Sequence, residues 1–284
     1  MSYEQFYQLR EQPFSNTPDP RFYFDIPQHT EVVARLMHAI NAMKGLAVVV
    51  GDVGTGKTTL ARQMLERLDD DQYASALLVI VHSSVTPEWL LRKIAMQLGV
   101  DAPAEEKVTL LSQIYQGLLQ IHQGERKAVV LVDEANMLKQ KEIMEEFRGL
   151  LNLEVPKAKL ITFILFGLPE LDENLTMDLP LAQRVAVKCR LTSFTPEITK
   201  AYIRHRLKVA GSTKELFDQE VMDRIHVYSG GIPRLINTIC DNVLLEGFLL
   251  RRDRLDLELV EDVVSDLGLG AVNAGSPHPS RRHP

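Results

Sequence analysis

The chain has 284 residues, of which 45% are hydrophobic and 25% charged, a composition that is ordinary for a soluble globular protein. Its formal net charge of −6 argues against a broadly basic nucleic-acid binder, although a local basic patch is compatible with that total. The two cysteines lack metal-ligand spacing, which argues against a disulfide framework and a metal cluster. The sequence shows no N-terminal signal pattern and no run of about 18 apolar residues, which argues against secretion and a membrane span. These features predict a cytoplasmic protein.

The N-terminal arm, residues 1–28, is rich in proline and aromatic residues. Prolines at this density exclude a long helix. Because aromatic side chains favour burial, we expect an ordered arm that lies on the following domain.

Residues 29–192 alternate helical patterns with short apolar runs. A helical pattern covers 28–44 and should end at Gly45. Continuous runs of β-forming residues predict strands over 46–50, 76–81, 128–132, 160–166 and 185–191. Amphipathic patterns predict helices over 58–68, 86–98, 107–122 and 141–153. This alternation predicts an α/β fold with a parallel five-stranded sheet, helices on both faces, and ligands at the carboxyl ends of the strands.

The first strand leads into GDVGTGKT, residues 51–58, and a helical pattern follows. This is the full G-x-x-x-x-G-K-[ST] pattern of a phosphate-binding loop in its strand-to-helix context. The glycines let the backbone point successive N–H groups into one nest, while the lysine and the helix N-terminus add positive charge. The predicted ligands are ATP and Mg²⁺, and the predicted nucleotide-binding residues are Gly51, Asp52, Val53, Gly54, Thr55, Gly56, Lys57, Thr58 and Thr59. With a nucleotide site predicted, two interpretations of the N-terminal arm, residues 1–28, stay open. Part of the arm forms a wall beside the nucleotide base, or the arm only packs around the domain.

The third predicted strand is followed directly by Asp133 and Glu134. We expect this strand to lie next to the phosphate strand, which places Asp133 to hold Mg²⁺ or its water together with Thr58. Glu134 is then positioned to polarise the attacking water, and Lys57 to stabilise the transferred phosphoryl group. A hydrophilic strand end is the alternative, but the complete phosphate loop upstream favours the catalytic interpretation.

From Thr195 no strand-like run remains in the sequence. Four helical patterns cover 195–209, 217–229, 233–250 and 257–267. They predict a small all-helical lid domain over 193–267. The segment 268–284 is small, polar and proline-rich, and is predicted to be a disordered tail.

The phosphate loop, the Asp-Glu pair and the helical C-terminal domain together resemble the AAA+ ATPases. Smaller features narrow the resemblance to the ExeA/GspA-type ATPases: PFSNTPDPRFYF, LVDEAN, EEFRGLLNLE, FGLPEL, LAQRV and GGIPRLIN. That family serves the assembly of secretion and pilus machinery in the bacterial envelope. The resemblance, which spans 1–267, implies an ATP-hydrolysing homo-oligomer that acts as a switch or motor. It also implies an inner-membrane secretion or pilus assembly protein as the partner that brings the chain to the membrane.

The resemblance also assigns roles to two arginines. Arg184 in LAQRV resembles the arginine that reaches the γ-phosphate bound by a neighbouring subunit. Two alternatives stay open: Arg190 has this role, or Arg184 is only a solvated surface arginine. Arg234 resembles the arginine that couples the helical lid to the phosphates. Leu168 departs from the family, whose members usually carry a polar residue there to orient water, so slow turnover is expected unless Asn174 substitutes.

Two other functions stay open. The basic clusters at 200–208 and 251–254 could contact DNA phosphates, and transposition ATPases share this architecture. A DNA-bound ATPase that regulates the choice of transposition target is therefore one alternative. A nucleotide-dependent binding module with little turnover is the other, suggested by the apolar residue at 168.

Overall fold

The computed structural model describes residues 2–156 and 158–270. They divide into two compact units, one of residues 25–192 and one that combines residues 2–24 with residues 193–270. Most of the predicted disordered tail, from residue 271, lies outside the described residues. No helix in the described part of the chain has the length and apolar character needed to cross a membrane.

The helices and strands follow the sequence predictions closely. The helices are α1 (Tyr3–Phe6), α2 (Pro27–Asn41), α3 (Lys57–Arg67), α4 (Pro87–Gln97), α5 (Lys107–Gln123), α6 (Lys141–Leu150), α7 (Glu170–Thr176), α8 (Leu179–Ala182), α9 (Pro196–Val209), α10 (Gln219–Ser229), α11 (Pro233–Leu249) and α12 (Leu257–Asp266). The strands are β1 (Leu46–Gly51), β2 (Tyr73–Val79), β3 (Lys127–Asp133), β4 (Glu154–Val155), β5 (Ala158–Lys159), β6 (Ile161–Gly167) and β7 (Val185–Leu191). Short 3₁₀ turns cover Pro20–Phe22 and Ala135–Met137.

The five long strands form one parallel sheet in the order β2-β3-β6-β1-β7, which confirms the predicted five-stranded sheet. The prediction that β3 lies next to the phosphate strand β1 is wrong, because β6 lies between them. Every residue of β6 is buried, as expected for a central strand with neighbours on both sides and helices on both faces. The carboxyl ends of β3, β6 and β1 therefore follow one another along one edge of the sheet.

Both faces of the sheet are covered, which explains why its strands are continuous apolar runs. In β1, Leu46, Val48 and Val50 pack in the core formed with α4, α5 and α6. Ala47 and Val49 point to the other face and pack in the core with α2 and α3. The two cores hold β1, and with it the start of the phosphate loop, in the middle of the unit.

Some elements differ from the sequence predictions. Strand β2 begins at Tyr73 rather than 76, because residues 73–75 also pair with β3, although they do not form a continuous apolar run. The antiparallel pair β4–β5 and the short helices α7 and α8 were not predicted, since runs of two to seven residues carry too little periodicity.

The arm is ordered, but it packs in the unit formed by α9–α12 and not on the domain that follows it in sequence. Tyr3 Oη donates to Asp241 Oδ1 of α11 at 2.6 Å, and Tyr7 Oη donates to the carbonyl of Arg252 at 3.0 Å. Phe14, 1% exposed, makes an edge contact with the Phe217 ring. The aromatic content predicted burial correctly, whereas the surface that buries these rings is far away in sequence.

Candidate nucleotide-binding site

The phosphate loop connects the end of β1 to the first residue of α3. Gly56, the residue before α3, has a φ of +98°, a left-handed conformation that favours glycine. A Cβ on Gly51 would lie 2.8 Å from Thr55 Oγ1 and 2.9 Å from the carbonyl oxygen of Leu191. The tight curl of the loop therefore requires glycine at both positions, as the motif predicted.

Lys57 lies folded into the loop, with its side chain buried. Its Nζ donates to the carbonyl oxygens of Gly51 and Asp52, each at 2.8 Å. Thr55 Oγ1 donates to the same Asp52 carbonyl at 2.8 Å. The first turn of α3 follows at once with two half-buried threonine hydroxyls, Thr58 and Thr59, whereas the Asp52 and Val53 side chains are exposed and their backbone forms the loop. The loop thus concentrates an ammonium group, backbone N–H groups and a hydroxyl.

Asp133, at the carboxyl end of β3, is 1% exposed. Its Oδ1 accepts the backbone N–H of Glu134 at 3.0 Å, but Oδ2 is buried without a hydrogen-bond partner in the described part of the chain. An unsatisfied buried carboxylate oxygen is costly, and a cation or its bound water would satisfy it. This donor fits Mg²⁺, which commonly takes one or two carboxylates and completes its shell with waters and substrate phosphates.

No group of three or more acidic, histidine or cysteine residues in the described ranges forms a metal cage of its own. Thr58 and Asp133 are thus the residues that would hold Mg²⁺ together with a nucleotide.

Glu134 follows Asp133 with a φ of +55°. This left-handed conformation is uncommon for a non-glycine residue and persists where the surroundings hold it. The carbonyl oxygen of Glu134 accepts the N–H of Met137 at 2.9 Å, which closes the turn Ala135–Met137. The residue is half-buried and directly follows Asp133, and it stays the candidate for the group that polarises water.

The end of β6 carries Leu168, as the sequence indicated, and the nearby polar groups are two asparagines. The N–H of Leu168 donates to Asn136 Oδ1 at 3.0 Å. Asn174 Nδ2 donates to the backbone carbonyl of Asn136 at 2.9 Å, so the side-chain amide of Asn174 is hydrogen-bonded to the backbone of the turn. Sequence reasoning missed Asn136, although it stands two residues after Glu134 in the motif LVDEAN.

Arg184 lies between α8 and the edge strand β7 and is half-buried. Its Nη1 donates to the carbonyl of Arg148, at the end of α6, at 3.4 Å. Arg148 Nε in turn donates to the buried Asp178 Oδ2 at 2.9 Å. Burial would raise the pKa of Asp178, but the hydrogen bonds from Arg148 and from the Leu181 N–H outweigh it and hold the pKa below its usual value. Arg190 is exposed within β7.

Arg234 is the second residue of α11 in the helical unit, and its side chain is exposed. The glycines before it have a structural reason: Gly231 has a φ of +72°, and its Cβ position lies 2.1 Å from the Phe194 carbonyl oxygen. Its own carbonyl accepts the Phe194 N–H at 2.8 Å. The GGIP segment therefore fixes where α11 begins.

His29, which sequence reasoning also missed, lies beside the phosphate loop. Its Cε1 is 4.0 Å from the point where a Cβ of Gly56 would lie. Burial lowers the pKa of His29, and the Asp25 carboxylate opposes that shift.

The basic clusters considered for DNA are largely engaged within the chain. Lys200 Nζ lies 2.6 Å from Asp223 Oδ1, and Arg252 Nη1 lies 2.9 Å from Asp256 Oδ2. Arg206 is buried and donates to the Ser15 carbonyl at 2.9 Å. These contacts offer no specific support for a DNA-binding face.

A parallel sheet with this loop after β1 and an acidic pair after β3 defines a P-loop nucleotide-binding protein. Comparisons with known proteins narrow the class. A family model described as AAA domain matches residues 17–175. General secretion pathway protein A of Aeromonas hydrophila is 37% identical over 250 residues, which cover 87% of this chain and 45% of that protein. The chain thus spans less than half the length of this relative.

Solved structures agree on the fold. The ORC2 protein of Aeropyrum pernix has a TM-score of 0.67 at 18% identity, covering 90% of this chain and 71% of that chain. Cdc6p of Pyrobaculum aerophilum has a TM-score of 0.69 at 18% identity, covering 89% and 70%. The chain therefore belongs to the AAA+ ATPases and, within them, to the type of general secretion pathway protein A. The suspected family and the ATPase class predicted from sequence are confirmed.

Proposed function

We propose that this chain binds ATP with Mg²⁺ at residues 51–59 and hydrolyses it with Glu134 as the group that polarises the attacking water. The observation that carries the proposal is the pairing of the phosphate loop with Asp133, whose buried Oδ2 has no hydrogen-bond partner within the described residues. A buried carboxylate oxygen without a partner, at the end of a strand that only β6 separates from β1 and its phosphate loop, is suited to bind a cation that enters with a nucleotide.

Each residue has a distinct task in this proposal. The backbone N–H groups of the loop and the N-terminus of α3 bind the phosphates, and Lys57 neutralises their charge. Mg²⁺, held by Thr58 and Asp133, supplies further charge neutralisation when bound. Glu134 accepts a hydrogen bond from the water and orients it toward the terminal phosphate. The chain thereby contributes positioning and electrostatic stabilisation.

The test is Glu134→Gln, which removes the negative charge and keeps the size of the side chain. We expect ATP binding to persist and the hydrolysis rate to fall at least about 100-fold, the usual range for losing a general base. Glu125→Gln is the matched control, because Glu125 is an exposed glutamate with nearly the same φ, +59°. Normal phosphate release by Glu134→Gln would place the catalytic base elsewhere.

We further propose that the active form is a homo-oligomer in which Arg184 reaches the nucleotide of a neighbouring subunit. Its location before the edge strand β7 supports this, and so does its long hydrogen bond to the Arg148 carbonyl, the one bond that its side chain makes among the described residues. Little is lost when such a side chain turns outward. Arg234, exposed at the start of α11, would couple nucleotide binding to the helical unit. A cation near the γ-phosphate stabilises the charge of the transition state.

The work that hydrolysis drives is proposed from the relative's name, general secretion pathway protein A. We infer a role in secretion-system or pilus assembly on the cytoplasmic side of the inner membrane, where ATP is available, through a membrane-embedded assembly protein as partner. Pull-down from membrane extracts with Glu134→Gln, loaded with ATP or with ADP, tests this. A partner captured equally in both states, or by Lys57→Ala as well, would contradict a nucleotide-controlled interaction.

A further inference from the structure

Strand order brings a turn and a strand end together at the proposed catalytic centre. Because β6 lies between β3 and β1, the turn after β3 faces the end of β6. Glu134 begins that turn with a φ of +55°, which is strained for a residue with a side chain. Strain of this kind lasts only where neighbouring groups hold the backbone, so the contacts of the turn Ala135–Met137 decide where the Glu134 carboxylate lies.

Asn136 makes those contacts. Its side chain is buried, and its Oδ1 accepts the Leu168 N–H at 3.0 Å, immediately after β6. Its backbone carbonyl accepts Asn174 Nδ2 from α7 at 2.9 Å. A Cβ on Gly167 would lie 3.0 Å from Asn136 N and 3.1 Å from Asn136 Oδ1, so the last residue of β6 leaves room for this asparagine.

We propose that Asn136 is a positioning residue for ATP hydrolysis. Asn136 holds the turn that begins at Glu134 against the end of β6. The inference rests on the proposed role of Glu134. It also accounts for the apolar side chain at 168: the polar group at the end of β6 is contributed by the neighbouring turn, and residue 168 takes part through its backbone N–H. Fixed geometry of a catalytic group raises the rate without strengthening substrate binding.

The experiment measures steady-state hydrolysis and the affinity for a fluorescent ATP analogue in the full chain carrying Asn136→Ala. We expect kcat to fall roughly 10- to 100-fold and nucleotide affinity to change less than about two-fold, the pattern of a group that acts only in the transition state. Asn237→Ala is the matched control, because Asn237 is also a buried asparagine with two hydrogen bonds, both through its side chain, but belongs to the helical unit. A purely structural role for Asn136 would give both variants the same thermal destabilisation and the same kcat.

Two further variants keep the outcome decisive. In a Glu134→Gln background, Asn136→Ala should cause no further loss in single-turnover hydrolysis, because the two residues act as one unit. If Asn136→Ala does not fold, Asn174→Ala weakens the same turn from α7 and should lower kcat selectively. Parental kcat in the folded variants overturns the proposal for Asn136. Parental hydrolysis by Glu134→Gln alone would instead overturn the proposed function.

Discussion

At the scale of single residues, the ammonium group of Lys57 is hydrogen-bonded to the backbone of its own phosphate loop. Two carbonyl oxygens, of Gly51 and Asp52, accept from Nζ at 2.8 Å. A phosphate oxygen that approaches the loop can displace one of these carbonyls from the ammonium group. The interaction gained is charge-assisted and lies at the N-terminus of α3, where negative charge is favoured.

Lys57→Ala should therefore weaken ATP binding by roughly 100-fold, because a hydrogen bond to a charged group is worth up to about 3 kcal/mol. Titration calorimetry with Mg²⁺ and ATP measures this directly. Lys44→Ala, at an exposed lysine two residues before β1, should bind ATP like the parent protein. Unchanged affinity of Lys57→Ala would refute the assignment of the phosphate loop.

Gly167→Ala is a second residue-scale prediction. The added Cβ would lie 3.0 Å from Asn136 N, closer than a carbon comfortably approaches, so the turn after β3 must shift. We expect a loss of about 1–3 kcal/mol in stability from overpacking, together with slower hydrolysis. Gly149→Ala is the control: nothing lies within 4 Å of its Cβ position in α6, and helix propensity predicts a gain of up to about 1 kcal/mol. Chemical denaturation and phosphate release together separate the two outcomes.

The residues that could be predicted from the sequence are those whose chemistry is contained in a short contiguous pattern. Lys57 and Thr58 belong to one loop, and Asp133 with Glu134 follows one strand. The role of Asn136 could not be predicted in this way, because its partner Leu168 is 32 positions further along the chain. That contact exists only because β6 inserts beside β3.

At the scale of elements, hydrophobic periodicity predicted nearly every long helix and strand but not the order of the strands. Each strand of a parallel sheet is a similar apolar run, and nothing in β3 or β6 alone records which is central. The order is set by crossover connections and by which faces the helices cover, which are properties of the whole unit. The same limit explains why the arm was assigned to the wrong domain.

Helix α9 holds the arm through one buried arginine. Arg206 donates to the carbonyls of Pro13 and Ser15, and its guanidinium lies 4.8 Å from the centre of the Phe22 ring. Arg206→Met would keep the aliphatic packing and leave two carbonyls unpaired. We expect a loss of about 2–4 kcal/mol in stability.

Denaturation of the full chain measures that loss, and limited trypsin cleavage after Arg21 should accelerate as the arm detaches. Arg204→Met serves as the control, since its exposed ion pair with Glu215, at 3.4 Å, is worth about 0–1 kcal/mol. Equal stability of the two variants would contradict a structural role for the arm.

At the scale of the whole molecule, the residues predicted to act in ATP hydrolysis belong to different units of the chain. The phosphate loop, Asp133, Glu134 and Arg184 belong to residues 25–192, whereas Arg234 belongs to the helical unit. Arg184 at the edge strand β7 suits a head-to-tail interface, in which different surfaces of identical subunits meet and a ring closes. Each site would then combine the loop of one subunit with the arginine of the next.

Mixing two inactive variants tests this arrangement. Arg184→Ala should bind ATP normally but hydrolyse it at least about 100-fold more slowly, as expected for loss of an arginine that stabilises the transition state. Lys57→Ala should be inactive when ATP is kept below the weakened dissociation constant of this variant, because its site then stays empty. In a mixed oligomer, a subunit with intact Lys57 meets a neighbour with intact Arg184 at about one interface in four, if subunits assemble at random in a closed ring.

With random assembly in a closed ring, mixing equal amounts of the two variants should therefore restore at most about a quarter of the parental rate. Arg190→Ala is the matched control, because Arg190 is an exposed arginine within β7, the strand that Arg184 precedes, and this variant alone should hydrolyse ATP like the parent. Co-purification of differently tagged subunits establishes that the variants do mix. With mixing established, no recovery would mean that Arg184 acts within its own subunit or not at all, and a loss of activity in Arg190→Ala would transfer the role to that residue.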